Sequence, residues 1–387
     1  MAKEKHLQAN TRLIHAGINS EKIQGSVTPP LYLSSTFSLE GYDKKRTYDY
    51  TRSGNPTRDI LGNAIADLEN GAGGVVTASG MAAINLIIQL LEPGDTVIST
   101  HDCYGGTFRL LDALEKKGTI KAVFADLTDT ENLPSIFSCN PKLVLVETPS
   151  NPLLRITDIE AVIHEAKRVG ALVAFDNTFL SPILQKPLDL GADIVLHSTT
   201  KYINGHSDVV GGALVAKTKE LYEDLAWWAN CIGCTGAPFD SFLTLRGMRT
   251  LEVRIKQQCE NAEKIAAALA DNPHVQKVYF PGLESHPGHA LAKKQQERFG
   301  AMISFELKGG IDSVRKCLDS LEIFTLAESL GGYESLINHP TSMTHASMTD
   351  EARQKAGIDD GLLRLSVGIE SAEDLIQDLE QAIKACA

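Results

Sequence analysis

Lys201 stands among small hydroxyl residues in His197-Ser198-Thr199-Thr200-Lys201-Tyr202-Ile203-Asn204-Gly205-His206-Ser207-Asp208, directly after the apolar run Ile194-Val195-Leu196. An amine becomes a nucleophile toward carbonyls only when its pKa falls, and a buried flanking strand lowers it by desolvation. Ser198 and Thr200 can hold a phosphate beside it. Twenty-five residues upstream, Leu172-Val173-Ala174-Phe175 reads as a buried strand ending in Asp176-Asn177-Thr178. This puts a carboxylate at the strand edge where open α/β sheets bind ligands. A lysine for a Schiff base, an acid for a pyridinium nitrogen and hydroxyls for a phosphate form the donor set that pyridoxal phosphate requires. Taken singly, each has a plainer explanation: Lys201 as a solvated surface residue, Asp176 as a cap.

In the order Asp then Lys on successive strands, the pair resembles the pyridoxal-phosphate enzymes of the aspartate-aminotransferase type. The words Asp176-Asn177-Thr178-Phe179, Ser198-Thr199-Thr200-Lys201-Tyr202 and Gly205-His206-Ser207-Asp208-Val209-Val210-Gly211-Gly212 narrow this to a resemblance to the Cys/Met-metabolism transsulfuration family, running almost end to end. The resemblance implies fold type I: an α/β fold with a mostly parallel central sheet, an N-terminal arm over residues 1–60 contacting a neighbouring subunit, a cofactor domain over 61–250 and a smaller C-terminal α/β domain over 251–387.

Length and composition agree with such a chain. A single core rarely grows past about 250–300 residues, so 387 residues require a second domain. With 43% hydrophobic and 22% charged residues the chain reads as a soluble globular protein, and no apolar run approaches the roughly 20 residues of a membrane span. The start, Met-Ala-Lys-Glu-Lys-His, has no apolar signal core, which makes the cytoplasm the expected compartment. A net charge of −12 argues against a nucleic-acid partner. Seven cysteines, an odd number, favour free thiols over a disulfide framework. Cys231-Ile232-Gly233-Cys234 has metal or redox spacing but lacks a second pair, so no metal is expected.

Along the chain, residues 1–58 show little periodicity, and the word Tyr48-Asp49-Tyr50-Thr51-Arg52-Ser53-Gly54-Asn55-Pro56-Thr57-Arg58 is dense in phosphate-binding side chains. Its alternative is a polar loop before a helix. The resemblance sends Tyr50 and Arg52 across to a neighbour's cofactor phosphate, and so implies an oligomer, a dimer or a tetramer of two dimers. Gly73–Met81 reads as a strand entering a helix, with Ser79 as cap and the amides of Gly80 and Met81 free to meet an anion. Strands are expected at 96–99, 122–125, 143–146, 172–175, 194–196 and 211–217, then near 275–279, 302–306 and 362–366. A helix is expected over 221–228, a long amphipathic one opening at Arg246, and a final one over 372–384. No GxGxxG or GxxxxGK occurs. His286-Pro287-Gly288-His289 reads as a surface turn.

Tyr104, on a loop after a strand, is placed to lie on an aromatic cofactor; filling an ordinary core gap is the alternative. The resemblance makes Tyr104 the stacking residue, Arg109 the clamp for a distal carboxylate, and Asn151, in Pro149-Ser150-Asn151-Pro152, a residue facing the cofactor. Arg364 is the one cation on the apolar strand Leu362–Ser366, and a buried unpaired Arg is costly. A structural salt bridge is one explanation, and the resemblance assigns Arg364 to the substrate α-carboxylate. Glu328 and Ser329 bring an acid and a hydroxyl toward the site, Glu328 matching the acid of γ-acting members.

The family's γ-synthases, γ-lyases, β-lyases and sulfhydrylases share this machinery. The longer words Glu147–Arg155, Ala226–Asn230 and His101–Gly106 look most like the γ-synthase branch, which replaces the acyl group of an O-acylhomoserine, most readily O-succinyl-L-homoserine, with cysteine in methionine biosynthesis. The γ-lyase branch is the alternative. A non-enzymatic cofactor-binding scaffold would show a broken Lys, Asp or Arg set, and Lys201, Asp176 and Arg364 are all present.

Overall fold

The computed structural model describes residues 7–346, 348, 353 and 356–386; the start read above for a signal core, residues 1–6, lies outside them. Seven strands belong to a larger, mostly parallel sheet: Gly73–Thr77 (β1), Thr96–Thr100 (β2), Lys121–Ala125 (β3), Leu143–Glu147 (β4), Leu172–Asp176 (β5), Ile194–His197 (β6) and Gly212–Ala216 (β7). Five form a smaller sheet: Val275–Tyr279 (β8), Met302–Leu307 (β9), Thr325–Leu326 (β10), Leu336–Asn338 (β11) and Leu362–Ser366 (β12). This is the α/β architecture expected. The chain divides into two compact units, Met1–Leu90 with Lys186–Glu252 and Leu91–Gln185 with Val253–Ala387.

In the first unit β7 pairs antiparallel with β1 and β6. The helix Pro56–Glu69 starts where Asn55 accepts hydrogen bonds from the N–H groups of Thr57 and Arg58, with Pro56 at the position where a missing N–H costs nothing. The arm is less featureless than its sequence suggested. It holds a helix at Ala9–His15, and Phe37 N–H donates to the Asp49 carbonyl (2.8 Å) while Thr51 N–H donates to that of Ser35 (2.9 Å). Arg58 is buried and donates to the carbonyls of Thr51 and Gly236, so this cation of the phosphate-like word ties backbone instead. The tryptophan helix runs over Lys219–Ile232, longer than expected, with Trp227 and Trp228 edge to face at 5.0 Å.

Arg246 does not open the long helix. It lies in the last turn of Pro238–Met248, and the long helix is Leu251–Asp271. Thr250 N–H bonds to the Gly247 carbonyl at the break. A side chain at Gly247 would run into the Asn204 carbonyl, so this helix packs backbone to backbone on the Lys201 turn.

In the second unit β5, β4, β2 and β3 form parallel pairs in that order, and β4 is buried at all five positions, the near-continuous apolar pattern of a strand covered on both faces. The smaller sheet has the order β10-β11-β12-β9-β8, antiparallel except for β10 with β11. β10 and β11, two and three residues long, are too short to show a period in sequence. The His286–His289 stretch is a turn with Pro287 exposed, as expected, but its histidines face inward: His286 is buried and accepts from Gly288 N–H, and His289 stacks on Phe299 at 5.3 Å.

Candidate active site

The first unit supplies the lysine turn. After β6 the chain folds through Ser198–Lys201, with Lys201 N–H donating to the Ser198 carbonyl (3.2 Å), Asn204 N–H to Thr199 (2.9 Å) and Gly205 N–H to Lys201 (2.8 Å). Tyr202, Ile203 and Asn204 are buried, while Lys201 is half-buried. Thr200 Oγ1 accepts from Gly211 N–H (3.0 Å) and donates to the Gly211 carbonyl (3.2 Å), so its hydroxyl pins the loop in place.

Beside this turn begins the helix Gly80–Ile88. Ser79 caps it, its hydroxyl accepting from Ala82 N–H (3.0 Å), which leaves the Gly80 and Met81 N–H groups for an outside partner. A Cβ on Gly80 would lie 2.9 Å from Ser198 Cβ and 3.1 Å from its hydroxyl; one on Gly211 would lie 2.5 Å from Thr199 Oγ1. Glycine at both positions lets a helix N-terminus and a hydroxyl approach closely, a cradle suited to a phosphate. The donor set fits pyridoxal phosphate on that ground.

Behind the turn, His197 Nε2 and Glu69 Oε1 meet at 2.6 Å, both almost fully buried. Sequence reading missed this pair because Glu69 ends a helix 128 residues away. Arg52 donates to the carbonyl and side-chain oxygen of Asn230 (2.7 and 2.8 Å), and its guanidinium sits 5.6 Å from the centre of the Tyr50 ring. Tyr50 is exposed. Cys231 and Cys234 flank a helix end: Gly233 takes a φ of 70° as the cap, and the Cys234 carbonyl accepts from Ala78 N–H. All seven cysteines are free thiols.

The second unit supplies the acids and the buried arginine. Asp176 ends β5 and accepts from Thr178 N–H (3.0 Å). Its register partner on β4 is Glu147, whose Oε2 accepts from Tyr104 N–H (2.8 Å). Tyr104 is the cap residue of the helix Gly105–Lys116 and keeps 41% of its surface exposed, so it does not fill a core gap. Burial pushes the Glu147 carboxyl well above the usual range, and the Asp176 charge pushes the same way; the Tyr104 N–H opposes both. Cys103, fully buried beside these acids, has its thiol pushed up by burial first and by Glu147 second. Asp102 accepts from Ser150 Oγ and lies 3.6 Å from Arg155 Nη1.

Arg364 is 2% exposed on β12. It donates to Asn151 Oδ1 (2.8 Å) and to the Ser329 carbonyl (3.1 Å); with its carboxamide oxygen turned inward, Asn338 accepts from Nε (3.3 Å) and Nη2 (2.5 Å). These three partners are neutral oxygens that hold the guanidinium in place, and the Glu147 carboxyl interacts with it electrostatically. Ser329 takes a φ of 91°, a strained backbone for a residue with a side chain. His345, fully buried, donates from Nε2 to the Asn151 carbonyl (3.0 Å), and burial pushes its pKa down to about 4. Arg109 and Glu328 are exposed, and Arg109 forms no ion pair among the described residues.

Thus Arg364, Asn151 and Ser329 come together, as do Asp176 and Thr178, and, in the first unit, Gly80 and Ser198. Glu147, Asn338 and His345 were not foreseen. Glu147 had a visible signal, an acid closing a buried strand as Asp176 does; Asn338 and His345 had none.

The sequence model of the Cys/Met metabolism PLP-dependent enzymes matches residues 10–384. The chain is 52% identical to cystathionine gamma-synthase of Escherichia coli strain K12, over 97% of each chain. It is 48% identical to a cystathionine beta-lyase of Coxiella burnetii over 98% of each, and 46% identical to a cystathionine gamma-lyase of Bacillus subtilis over 98% of this chain and all of that one. Among solved structures, cystathionine gamma synthase from Xanthomonas oryzae pv. oryzae in complex with aminoacrylate and cysteine superposes with a TM-score of 0.98 at 62% identity, covering 99% of both chains.

Proposed function

Since this chain belongs to the Cys/Met metabolism PLP-dependent enzymes, we propose that it is a γ-synthase, joining O-succinyl-L-homoserine or another O-acylhomoserine to L-cysteine to give L-cystathionine and the free acid. The observation that carries this reading is a pair of unlike cations in one unit: Arg364, buried and held by the Asn151 and Ser329 oxygens, and Arg109, exposed and without an ion pair among the described residues. A succinyl ester presents a carboxylate at each end, and two separated cations suit it. The solved structure at 62% identity carries cysteine, which supports cysteine as the second substrate.

Bound pyridoxal phosphate supplies a ring that accepts the electron pair released at the substrate's α-carbon. Gly80 and Met81 hold its phosphate through their N–H groups and Ser198 through its hydroxyl; Thr200 joins them if it exchanges its bond to Gly211. Tyr104 lies against the ring face. Asp176 keeps the ring nitrogen protonated, steadied by Thr178. Lys201 supplies the amine that holds the cofactor and then moves a proton between Cα and Cβ of the substrate. Arg364 binds the α-carboxylate, with Asn151 and Ser329 orienting its guanidinium, Arg109 binds the succinyl carboxylate, and Glu328 disfavours a reversed pose by charge repulsion. The succinate then leaves from Cγ, and the cysteine thiol adds there as it gives up its proton.

The arm, residues 1–60, contributes Tyr50 and Arg52 to a neighbour's phosphate site in a dimer of dimers, beside a cofactor domain over 61–250 and a C-terminal domain over 251–387. The cytoplasm is the proposed compartment; no helix among the described residues is long and apolar enough to cross a membrane. Cleavage of cystathionine is the second reading, favoured by relatives at 46–48% identity that bear lyase names.

The test compares kcat/KM for the succinyl and acetyl esters, with cysteine, in the parent and Arg109→Ala. The variant is expected to lose about ten- to hundredfold on the succinyl ester, the worth of one charge-assisted contact, and little on the acetyl ester. Equal losses on both, or cystathionine cleavage outpacing its formation in the parent, would displace the γ-synthase reading.

A further inference from the structure

Glu147 and Asp176 are register partners at the ends of adjacent parallel strands. Such partners sit about 4.8 Å apart and point to the same face of the sheet, so the two carboxyls are neighbours. Glu147 is 7% exposed. The charged and titratable groups facing it in this unit are Asp176 from β5, Asp102 and Cys103 from the segment after β2, and Arg364 from β12, with the Tyr104 N–H from the head of its helix. With Arg155 beside Asp102, the adjacent pair Glu147 and Asp176 is left to share the Arg364 guanidinium, and a second negative charge on that pair is repelled by the first and poorly solvated. Asp102 has Ser150 and Arg155 as partners, and Asp176 has the Thr178 N–H. Glu147 has the backbone N–H of Tyr104, which favours the charged form but is still accepted by a neutral carboxyl oxygen, and burial with the Asp176 charge outweighs it.

We propose that Glu147 is a positioning residue that carries the proton of this acid pair, leaving Asp176 as the ionised member, and that its bond to Tyr104 N–H ties the aromatic residue beside the ring to the strand end bearing that charge. The inference rests on the reading that Asp176 meets the cofactor's ring nitrogen. Two neighbouring ionised acids would repel each other and loosen the strand ends. A neutral Glu147 keeps the geometry, and one full charge remains at Asp176.

Two measurements test this. The first uses the cofactor-free protein and follows Tm against pH for the parent and Glu147→Gln. A carboxyl whose folded pKa lies above its ordinary value of 4.5 binds a proton more tightly in the folded state. Its contribution therefore falls as pH rises through that window. Gln imitates the protonated form and does not titrate, so the advantage of the variant over the parent is expected to widen with pH. A gap that stays constant overturns the proposal.

The second measures cofactor dissociation by absorbance titration. Glu147→Gln should stay within about threefold of the parent, while Glu147→Leu, which loses the acceptor for Tyr104 N–H, should bind about ten- to hundredfold more weakly. A Gln variant as weak as the Leu variant would place the charge on Glu147 and refute the assignment. Asp176→Asn separates the underlying reading: parental turnover there would remove Asp176 from the ring nitrogen, while the Tm series would still decide where the proton sits.

Discussion

The Ser198–Lys201 turn owes its shape to atoms that are missing, whereas the cluster at the ends of β4 and β5 owes its properties to charges that are present. In the first, Gly80 and Gly211 lack the Cβ that would strike Ser198 and Thr199, and backbone hydrogen bonds hold the loop. In the second, Asp176, Glu147, Asp102 and Arg364 lie among apolar strands where one proton more or less changes the electrostatics. A steric site and an electrostatic site fail differently. The steric one should be insensitive to pH and intolerant of one methyl group; the electrostatic one should keep its fold with an isostere, lose function where the charge is lost, and respond to pH.

The largest effect is expected at Asp176. Asp176→Asn keeps the shape and removes the charge, and should lower kcat on the order of 10²–10³-fold, the scale for losing one preorganised electrostatic partner, with little change in Tm. Steady-state kinetics of the cofactor-loaded variant decide it; near-parental kcat would mean that shape, as in the lysine turn, also governs this region.

A smaller loss is expected from Gly80→Ala. Overpacking of this kind costs about 1–3 kcal/mol, so the cofactor should dissociate roughly ten- to hundredfold more readily, by the same factor across pH. Titrations at three pH values check this, and a pH-dependent loss would blur the contrast drawn above.

The smallest effect concerns His345. Its folded pKa of about 4 lies below the ordinary 6.5, so the unfolded chain binds the proton more tightly. Its contribution is complete above about pH 6.5 and is lost as the pH falls toward 4. Between about pH 7 and pH 5 the parent should lose about 1–2 kcal/mol more than His345→Gln, which keeps a donor for the Asn151 carbonyl but does not titrate. Denaturant midpoints at the two pH values measure the difference; parallel losses would detach His345 from the electrostatic region.

Much of this was legible beforehand, for identifiable reasons. Buried strands such as Leu143–Glu147 and Leu172–Asp176 announce themselves by unbroken apolar runs closed by an acid, and Ser79 before Gly80 states a helix start in two residues. The break between Pro238–Met248 and Leu251–Asp271 did not show, because Arg246–Leu251 contains no proline and its signal is a single Thr250, whose N–H and hydroxyl both bond the Gly247 carbonyl.

The sequence by itself determined the α/β class, the family words around Lys201 and Asp176, and the suspicion that Arg364 is buried for a purpose, since periodicity and residue chemistry are local properties. Tertiary structure alone decided the company those residues keep. It set Asn338, Asn151 and the strained Ser329 carbonyl on the Arg364 guanidinium, His345 on the Asn151 carbonyl, and Glu147 beside Asp176. These partners lie 26 to 213 residues from the groups they meet, and a hydrogen bond reads only distance in space.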